Sequence, residues 1–282
     1  MSERSEPFLV WPGWRHIRFA ALVSLVGVVW FVFVYGGCDA ITAHRVARVR
    51  IHLDSELSIP FIPETVLIYM SLYVLFIGAP FILRQRQEFL ALALTLNSVI
   101  LVAGIGFLLV PAQLAFPRPI DLGAFPNLFR LADRLNLEYN LVPSLHVALS
   151  VVCVATYARR VSLIGKTLLW VWAGAIAAST LLTHQHHVLD VVTGWVLALA
   201  AFKIVGPRAV LRRDAPWFQW ARTVDRPAAA GPRRFGAVQQ YPAALPSPPP
   251  EICTTRTVRP SDANDAEDCR TAAKPAGRGP PS

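Results

Sequence analysis

Two histidines and an aspartate are the residues whose types and spacing most clearly allow chemistry. Asp190 follows His186 by four residues, so on a helix both side chains lie on one face. The carboxylate can then accept the ring N–H and leave the other ring nitrogen, with its lone pair, as a nucleophile. His146 is a second imidazole that can join them if the two segments meet. The structural alternative is an Asp190 that caps a helix beside interfacial polar histidines.

Arg118 and Ser144 are candidate phosphate ligands. Arg118 lies between Pro117 and Pro119, which restrict its backbone and remove a competing donor. Its planar guanidinium suits the non-bridging oxygens of a phosphate, which it can bind through two hydrogen bonds. Ser144, two residues before His146, can cap a helix while it orients phosphate. An ordinary interfacial arginine that meets lipid head groups is the alternative for Arg118.

A metal site is the alternative use of the third cluster, because His184, His186, His187 and Asp190 are all possible zinc ligands. His186 and His187 are consecutive, however, and on a helix their side chains point about 100° apart. That geometry suits a closed metal site poorly. The prediction is therefore that neither a metal nor any other cofactor takes part.

These residues must be positioned by membrane-spanning helices. Of the 282 residues, 54% are hydrophobic and 16% are charged, which is too apolar for a soluble domain of this length. The apolar residues fall in stretches of about 20, the length at which a helix crosses the hydrocarbon layer. We predict an all-α fold, a six-span transmembrane helical bundle, with spans at about 17–35, 65–83, 89–110, 141–158, 163–182 and 187–205.

The orientation follows from the Lys and Arg residues near the span ends. With both termini in the cytoplasm, more of them face inward than outward. The inward set is Arg15, Arg18, Arg84, Arg86, Arg159, Arg160, Lys166, Lys203, Arg208, Arg212 and Arg213, against Arg45, Arg48, Arg50, Arg118, Arg130 and Arg134 outward. The loop at 111–140 and the turn at 183–186 then both lie on the outer face of a plasma or bacterial inner membrane.

The remaining segments are assigned no chemistry. Residues 1–16 are predicted to be a cytoplasmic N-terminus, 17–210 the membrane domain, and 211–282 a disordered cytoplasmic tail, because a proline-rich run at 246–250 precedes mixed charges. Residues 39–63 are either an interfacial amphipathic helix or a connecting loop. The net charge of +9 indicates topological bias and attraction to anionic lipids rather than nucleic-acid binding.

Residues 111–200 resemble the type 2 phosphatidic acid phosphatase superfamily, six-span enzymes with the signatures K-x6-R-P, P-S-G-H and S-R-x5-H-x3-D. Arg118 matches the first signature, Ser144 and His146 the second, and Ser179, His186 and Asp190 the third. Three positions depart from the pattern, because Pro111, Leu145 and Thr180 replace Lys, Gly and Arg. The P-S-L-H form looks more like the branch that contains inositol phosphorylceramide synthases and their bacterial relatives.

The resemblance implies phosphoryl transfer on a membrane lipid substrate through a phosphohistidine. In this interpretation His186 attacks phosphorus, Asp190 orients it, His146 moves the proton, and Arg118, Ser144 and Ser179 bind phosphate. His184 is a candidate to replace one of the two lost cations. The acceptor is water or a lipid hydroxyl. The alternative is a non-catalytic membrane protein, a transporter or scaffold, that has kept the fold.

Overall fold

The computed structural model describes residues 8–211 of the chain and the side chains of residues 8–205. Regular structure in this range is helical, without a strand, and one isolated bridge joins Val49 to Ala112. In chain order the helices are α1 (Trp14–Phe31), α2 (Gly37–Ala43), α3 (Val66–Met70), α4 (Leu72–Ile82), α5 (Arg86–Leu109), α6 (Pro126–Leu135), α7 (Leu145–Tyr157), α8 (Leu163–Leu182) and α9 (Val188–Leu211). Residues 212–282 of the predicted tail and residues 1–7 of the predicted N-terminus lie outside the described residues.

Five helical segments are long and apolar enough to cross a membrane. They are Trp14–Ala43, Pro63–Ile82, Arg86–Leu109, Leu163–Leu182 and Val188–Val205. A wider helical turn at Val32–Gly36 joins α1 to α2, and Ser71 joins α3 to α4. Helices of this kind satisfy their backbone polar groups internally, as a hydrocarbon environment requires. The all-helical prediction is confirmed for the described residues, and these segments are consistent with an integral membrane protein.

The predicted span at about 141–158 differs from the other five. It folds as α7, which has 13 residues, or roughly 20 Å at the usual rise per residue. That is short of the roughly 30 Å of a hydrocarbon layer. Every residue of α7 except His146 and Thr156 is buried, because α4, α5, α8 and α9 pack around it. The described residues therefore provide five candidate spans around a short central helix, and six crossings are not shown.

Because the chain reverses direction between successive spanning helices, the segments 44–62, 110–144 and 183–187 lie at one end of the bundle. All the residues that could do chemistry belong to this end or to the helix turns next to it. At the opposite end, formed by residues 83–85 and 158–162, Arg160 links the segment after α7 to α4 and α5. Its guanidinium pairs with Glu88 at the start of α5 and lies 3.4 Å from the carbonyl of Ile82.

The segment after α2 is a connecting loop rather than an interfacial helix. Residues 44–53 have no helical structure, and only a short 3₁₀ turn follows at Asp54–Ser58. The loop folds onto the segment 110–144. Val49 donates its N–H to the carbonyl of Pro111 at 3.0 Å, and the guanidinium of Arg48 lies 4.1 Å from the ring centre of Tyr139. The segment after α2 also contacts the turn at 183–187, through Ile59 with His184 and through Glu56 with His187.

Candidate active site

His186 and Asp190 form the predicted pair. Nδ1 of His186 lies 3.3 Å from Oδ2 of Asp190, and both side chains are buried, 3% and 0% exposed. An ionised carboxylate can only accept, so Nδ1 carries the proton and Nε2 carries the lone pair. The same carboxylate oxygen accepts the backbone N–H of His187 at 2.9 Å. The ring of His186 is therefore held with Nε2 as its free, basic nitrogen.

A tight turn at residues 183–187 connects α8 to α9 and sets the position of His186. The carbonyl of Thr180 accepts the backbone N–H groups of Gln185 and His186, at 3.0 and 3.1 Å. His184 adopts the left-handed conformation that lets the chain reverse here, with a φ of 55°. His186 is thereby placed just before Val188, the first residue of α9, and one helical turn from Asp190.

His146 lies in the first turn of α7, with its ring against Tyr69 of α3. The two ring centres are 3.8 Å apart and nearly parallel, and Nε2 of His146 lies 2.6 Å from the backbone carbonyl of Tyr69. A carbonyl only accepts, so Nε2 is the protonated nitrogen and Nδ1 is left for proton exchange. The carbonyl thus orients His146 much as Asp190 orients His186.

Ser144 connects the two histidine-bearing elements. Its Oγ accepts the N–H of Val147 at 3.4 Å, which caps α7, and its own N–H donates to the backbone carbonyl of Asp190 at 2.9 Å. Gly194 of α9 lies directly against the Ser144 carbonyl, where a Cβ would collide with it. The start of α7 is therefore locked against the first turns of α9. Ser144 serves this packing; its predicted contact with phosphate stays a prediction.

Arg118 lies in the segment 110–144, at the same end of the bundle as the pair. Its side chain is 91% exposed, and its guanidinium is 4.0 Å from the carboxylate of Glu138. An exposed ion pair of this kind contributes at most about 1 kcal/mol, so the contact holds the arginine only weakly. Among the described residues, the structure shows no contact of Arg118 with His186 or Asp190.

The other two predicted phosphate ligands have partners within the protein. The hydroxyl of Ser179, which is buried, donates to the carbonyl of Ile176 at 2.7 Å inside α8. Nε2 of His184 lies 2.9 Å from the carbonyl of Ile59, and its ring stacks on Phe116 at 4.0 Å. Both residues shape the turn that holds His186, and neither is seen to face the pair.

Glu56 and His187 form a second buried pair, which the sequence did not indicate. Oε2 of Glu56 lies 3.1 Å from Nδ1 of His187 and accepts the N–H of Val188, also at 3.1 Å. Nε2 of His187 accepts the N–H of Ala115 at 3.1 Å, so the ring is neutral with its proton on Nδ1. Burial also lowers the pKa of His187, which lies just outside the candidate span Val188–Val205.

This second pair supports the first. The Glu56 carboxylate lies at the N-terminus of α9, where a negative charge is favoured by the helix dipole. His187 connects that carboxylate to the loop that carries Arg118, through Ala115 and through stacking on Phe116 at 4.8 Å. In the sequence, the only sign of this second pair is the histidine doublet at 186 and 187. If both histidines are buried, the second one also needs a hydrogen-bond partner. Nothing in the sequence links it to a residue 131 positions earlier.

Replacement of Glu56 with alanine is expected to lower the thermal stability of the protein. The change leaves the buried ring N–H of His187 and the N–H of Val188 unpaired, and each such group costs about 1 to 3 kcal/mol. Thermal unfolding of the purified protein in detergent, followed by tryptophan fluorescence, measures the shift in Tm. Glu64→Ala is the matched control, because Glu64 is an exposed glutamate of the same outer region. Equal Tm values for the two variants would contradict the role given to Glu56.

A cavity of about 330 Å³ lies beside the two histidines. His146 and His186 line it together with Tyr35, Tyr69 and Asn140, and apolar side chains of α1, α4 and α5 form most of the rest of its wall. The volume is in the range of small-molecule sites. Both imidazoles can therefore reach one ligand. Within residues 8–211 no group of three or more His, Cys, Asp or Glu side chains is arranged to hold a metal ion.

Comparison with known proteins gives one match. The model of a family described as the PAP2 superfamily matches residues 61–204, about half of the chain. The matched range contains all seven predicted site residues, whereas Glu56 lies before it. No curated protein and no solved structure matches the sequence.

Proposed function

The chain belongs to the PAP2 superfamily, and we propose that it is a membrane phosphatase or phosphotransferase that acts on a phosphate ester of a lipid through a phosphohistidine. Members of this superfamily are generally phosphatases. The observation that carries the proposal is the buried His186–Asp190 pair, which shares one largely apolar cavity with His146. A nucleophile, an orienting carboxylate and a second imidazole are the groups that such a reaction needs.

In the first step, Nε2 of His186 attacks phosphorus and the bond from phosphorus to the lipid oxygen breaks. For this step His146 is proposed to carry a proton on both ring nitrogens: Nδ1 gives its proton to the leaving oxygen, and the Nε2–H keeps its bond to the Tyr69 carbonyl. Asp190 stabilises the positive charge that develops on the His186 ring, to which it is already hydrogen-bonded. The product of the step is a phosphohistidine and a free lipid alcohol.

In the second step, His146 works in the opposite direction. Nδ1, now unprotonated, takes a proton from water or from a lipid hydroxyl, and the oxygen of that acceptor attacks phosphorus. The bond from phosphorus to Nε2 of His186 breaks, and the starting state of both histidines returns. Hydrolysis and transfer thus differ only in the acceptor. The P-S-L-H form at Pro143–His146 supports placing the protein near the inositol phosphorylceramide synthase-like branch.

Arg118 is the proposed ligand for the phosphate oxygens, on one condition. Its side chain must turn from Glu138 toward His186 when substrate binds. The energetic cost is small, since the contact with Glu138 is long and exposed. Direct contact of Ser144, Ser179 and His184 with phosphate stays a proposal; within the protein these residues hold the geometry of the start of α7 and of the turn before α9.

The direct test is incubation of the purified protein with a panel of labelled lipid phosphates, with and without an alcohol acceptor. Release of inorganic phosphate identifies a hydrolase, and a labelled acceptor identifies a transferase. His186→Ala is the control for contaminating activity. Failure of the native protein on the whole panel would favour the alternative of a non-catalytic transporter or scaffold.

Turnover is expected to survive chelation by excess EDTA, because the proposed route needs only imidazole and carboxylate groups. The rate of phosphate release is measured before and after dialysis against the chelator. Detergent and lipid are held constant, so that only the metal content differs. Loss of activity that zinc or magnesium restores would replace the histidine nucleophile with a metal-dependent mechanism.

The active site is proposed to face outward, with both termini in the cytoplasm. A membrane-impermeant thiol reagent added to intact cells should label Ile120→Cys, since Ile120 is fully exposed in the outer loop. Gln85→Cys, at an exposed position of the opposite end, should be labelled only after the cells are lysed. The reverse pattern would place the substrate in the cytoplasmic leaflet.

A further inference from the structure

The cavity beside the histidines is elongated along the bundle. On α5 its lining runs from Phe89 to Ile100, and on α1 from Val23 to Phe31 and on to Tyr35. At 1.5 Å per residue, the α5 positions alone span roughly 16 Å. The far part of the lining is apolar apart from Ser24 and Asn97. An apolar space of this length, between helices that are long and apolar enough to cross a membrane, can hold an alkyl chain.

Asn140 is the unusual residue of the lining. It is 2% exposed, and its Nδ2 donates to the backbone carbonyl of Tyr35 at 2.6 Å. This bond fixes the orientation of the amide, because the oxygen could not take that place opposite another acceptor. Oδ1 therefore remains, and within the described part of the chain it has no hydrogen-bond partner. A buried acceptor left unpaired costs about 1 to 3 kcal/mol.

A ligand in this cavity must supply a donor to Oδ1 to remove that cost. Phosphate at His186 is rich in acceptors, and the alkyl chain has no polar group. The donor must therefore belong to the part of the lipid between them, next to the phosphoester. A glycerol backbone with two ester chains offers only acceptors there, whereas a free hydroxyl or an amide N–H offers a donor.

We propose that Asn140 selects lipid phosphates that carry a hydroxyl or amide N–H close to the phosphoester, while their alkyl chain occupies the cavity between α1, α4 and α5. The inference rests on the proposed function and adds its substrate class. Sites that hydrogen-bond a substrate group discriminate strongly against analogues without it, because their own polar atom is then left unpaired. Asn140 thus acts as a specificity residue, and the chemistry stays with the two histidines.

The test uses substrates that differ only in the donor. The hydroxyl arm compares a single-chain glycerol phosphate that has a free hydroxyl at carbon 2 with its O-methyl ether. The amide arm compares an N-acylated amino-alcohol phosphate with its N-methyl analogue. For at least one arm the native protein should favour the donor in kcat/KM by roughly tenfold. The arm with the larger ratio identifies the kind of donor, and equal kcat/KM values in both arms would overturn the proposal.

Asn140→Ala should reduce that ratio to about one, whatever its effect on the absolute rate. A residue with a merely structural role would lower both members of a pair alike and leave the ratio intact, which would also overturn the proposal. Asn97→Ala is the matched control, because Asn97 lines the same cavity and should leave the ratio unchanged. If no ester is turned over, the proposed function fails. Equilibrium binding of the same four labelled lipids then tests the inference, with the ratio of Kd values within each pair in place of the ratio of kcat/KM values.

Discussion

Replacement of His186 with alanine is expected to abolish turnover of every phosphate ester, whatever its leaving group. The imidazole supplies the nitrogen that bonds to phosphorus, and neither of the other two histidines of the turn can replace it. His187 has both ring nitrogens engaged, with Glu56 and with the N–H of Ala115, and Nε2 of His184 faces the carbonyl of Ile59. Loss of a covalent nucleophile lowers kcat by about 10⁴-fold or more.

The measurement is a rapid quench that avoids acid, with substrate labelled in the phosphate. Native protein should show an acid-labile phosphoenzyme, and His186→Ala should show none even with p-nitrophenyl phosphate. His44→Ala is the matched control, because His44 is an exposed histidine at the same end of the bundle, and it should be labelled as the native protein is. Turnover by the native protein without any labelled intermediate would contradict the covalent mechanism.

Replacement of His146 with alanine is expected to fail in a different way. Proton transfer by a positioned side chain contributes about 10² to 10⁴ in rate, and most for a poor leaving group such as a lipid alkoxide. Lipid turnover should fall by this factor. p-Nitrophenolate leaves without a proton, so the variant should still form phosphoenzyme from p-nitrophenyl phosphate. Breakdown then lacks its base, and the adduct should accumulate.

The same quench compares the two variants directly. The amount of labelled His146→Ala protein should exceed that of the native protein at steady state, while the rate of phosphate release is lower. Label on His186→Ala and none on His146→Ala would reverse the two assignments. Because the His146 ring packs on Tyr69, thermal unfolding of the variant must be measured too, so that a packing loss is not mistaken for a chemical one.

The sequence was enough to predict where the long apolar helices lie. The predicted span at 163–182 coincides with α8, and those at 65–83 and 89–110 differ from Pro63–Ile82 and Arg86–Leu109 only at the ends. Hydrophobic length is a local property, which is why it can be read directly. The segment at 141–158 was predicted in the same way, yet it folds as the buried helix α7. Hydropathy indicates that a helix is shielded from water. It does not show whether lipid or other helices surround it.

The contact of His186 with Asp190 was also predicted from their four-residue spacing, although His186 lies in the turn before α9 and only Asp190 lies on the helix. The position of the Arg118 side chain could not be predicted from the sequence. The flanking prolines restrict its backbone, but its long side chain can still point to solvent, to Glu138 or to a ligand. Its catalytic role, like those of the histidines, stays a prediction until the variants are measured.

Only the tertiary structure decided which groups surround the pair. Glu56 reaches His187 across 131 residues, and Asn140 reaches Tyr35 across 105. Such contacts have no periodicity in the chain, because they depend on how the helices and loops pack rather than on the spacing within either segment. The sequence by itself thus determined the long apolar helices and the spacing of His186 and Asp190. Packing placed His146 on the Tyr69 carbonyl and buried Glu56 at the start of α9. It also left Oδ1 of Asn140 without a partner among the described residues, because a buried polar atom acquires its partner, or fails to, only when the segments meet.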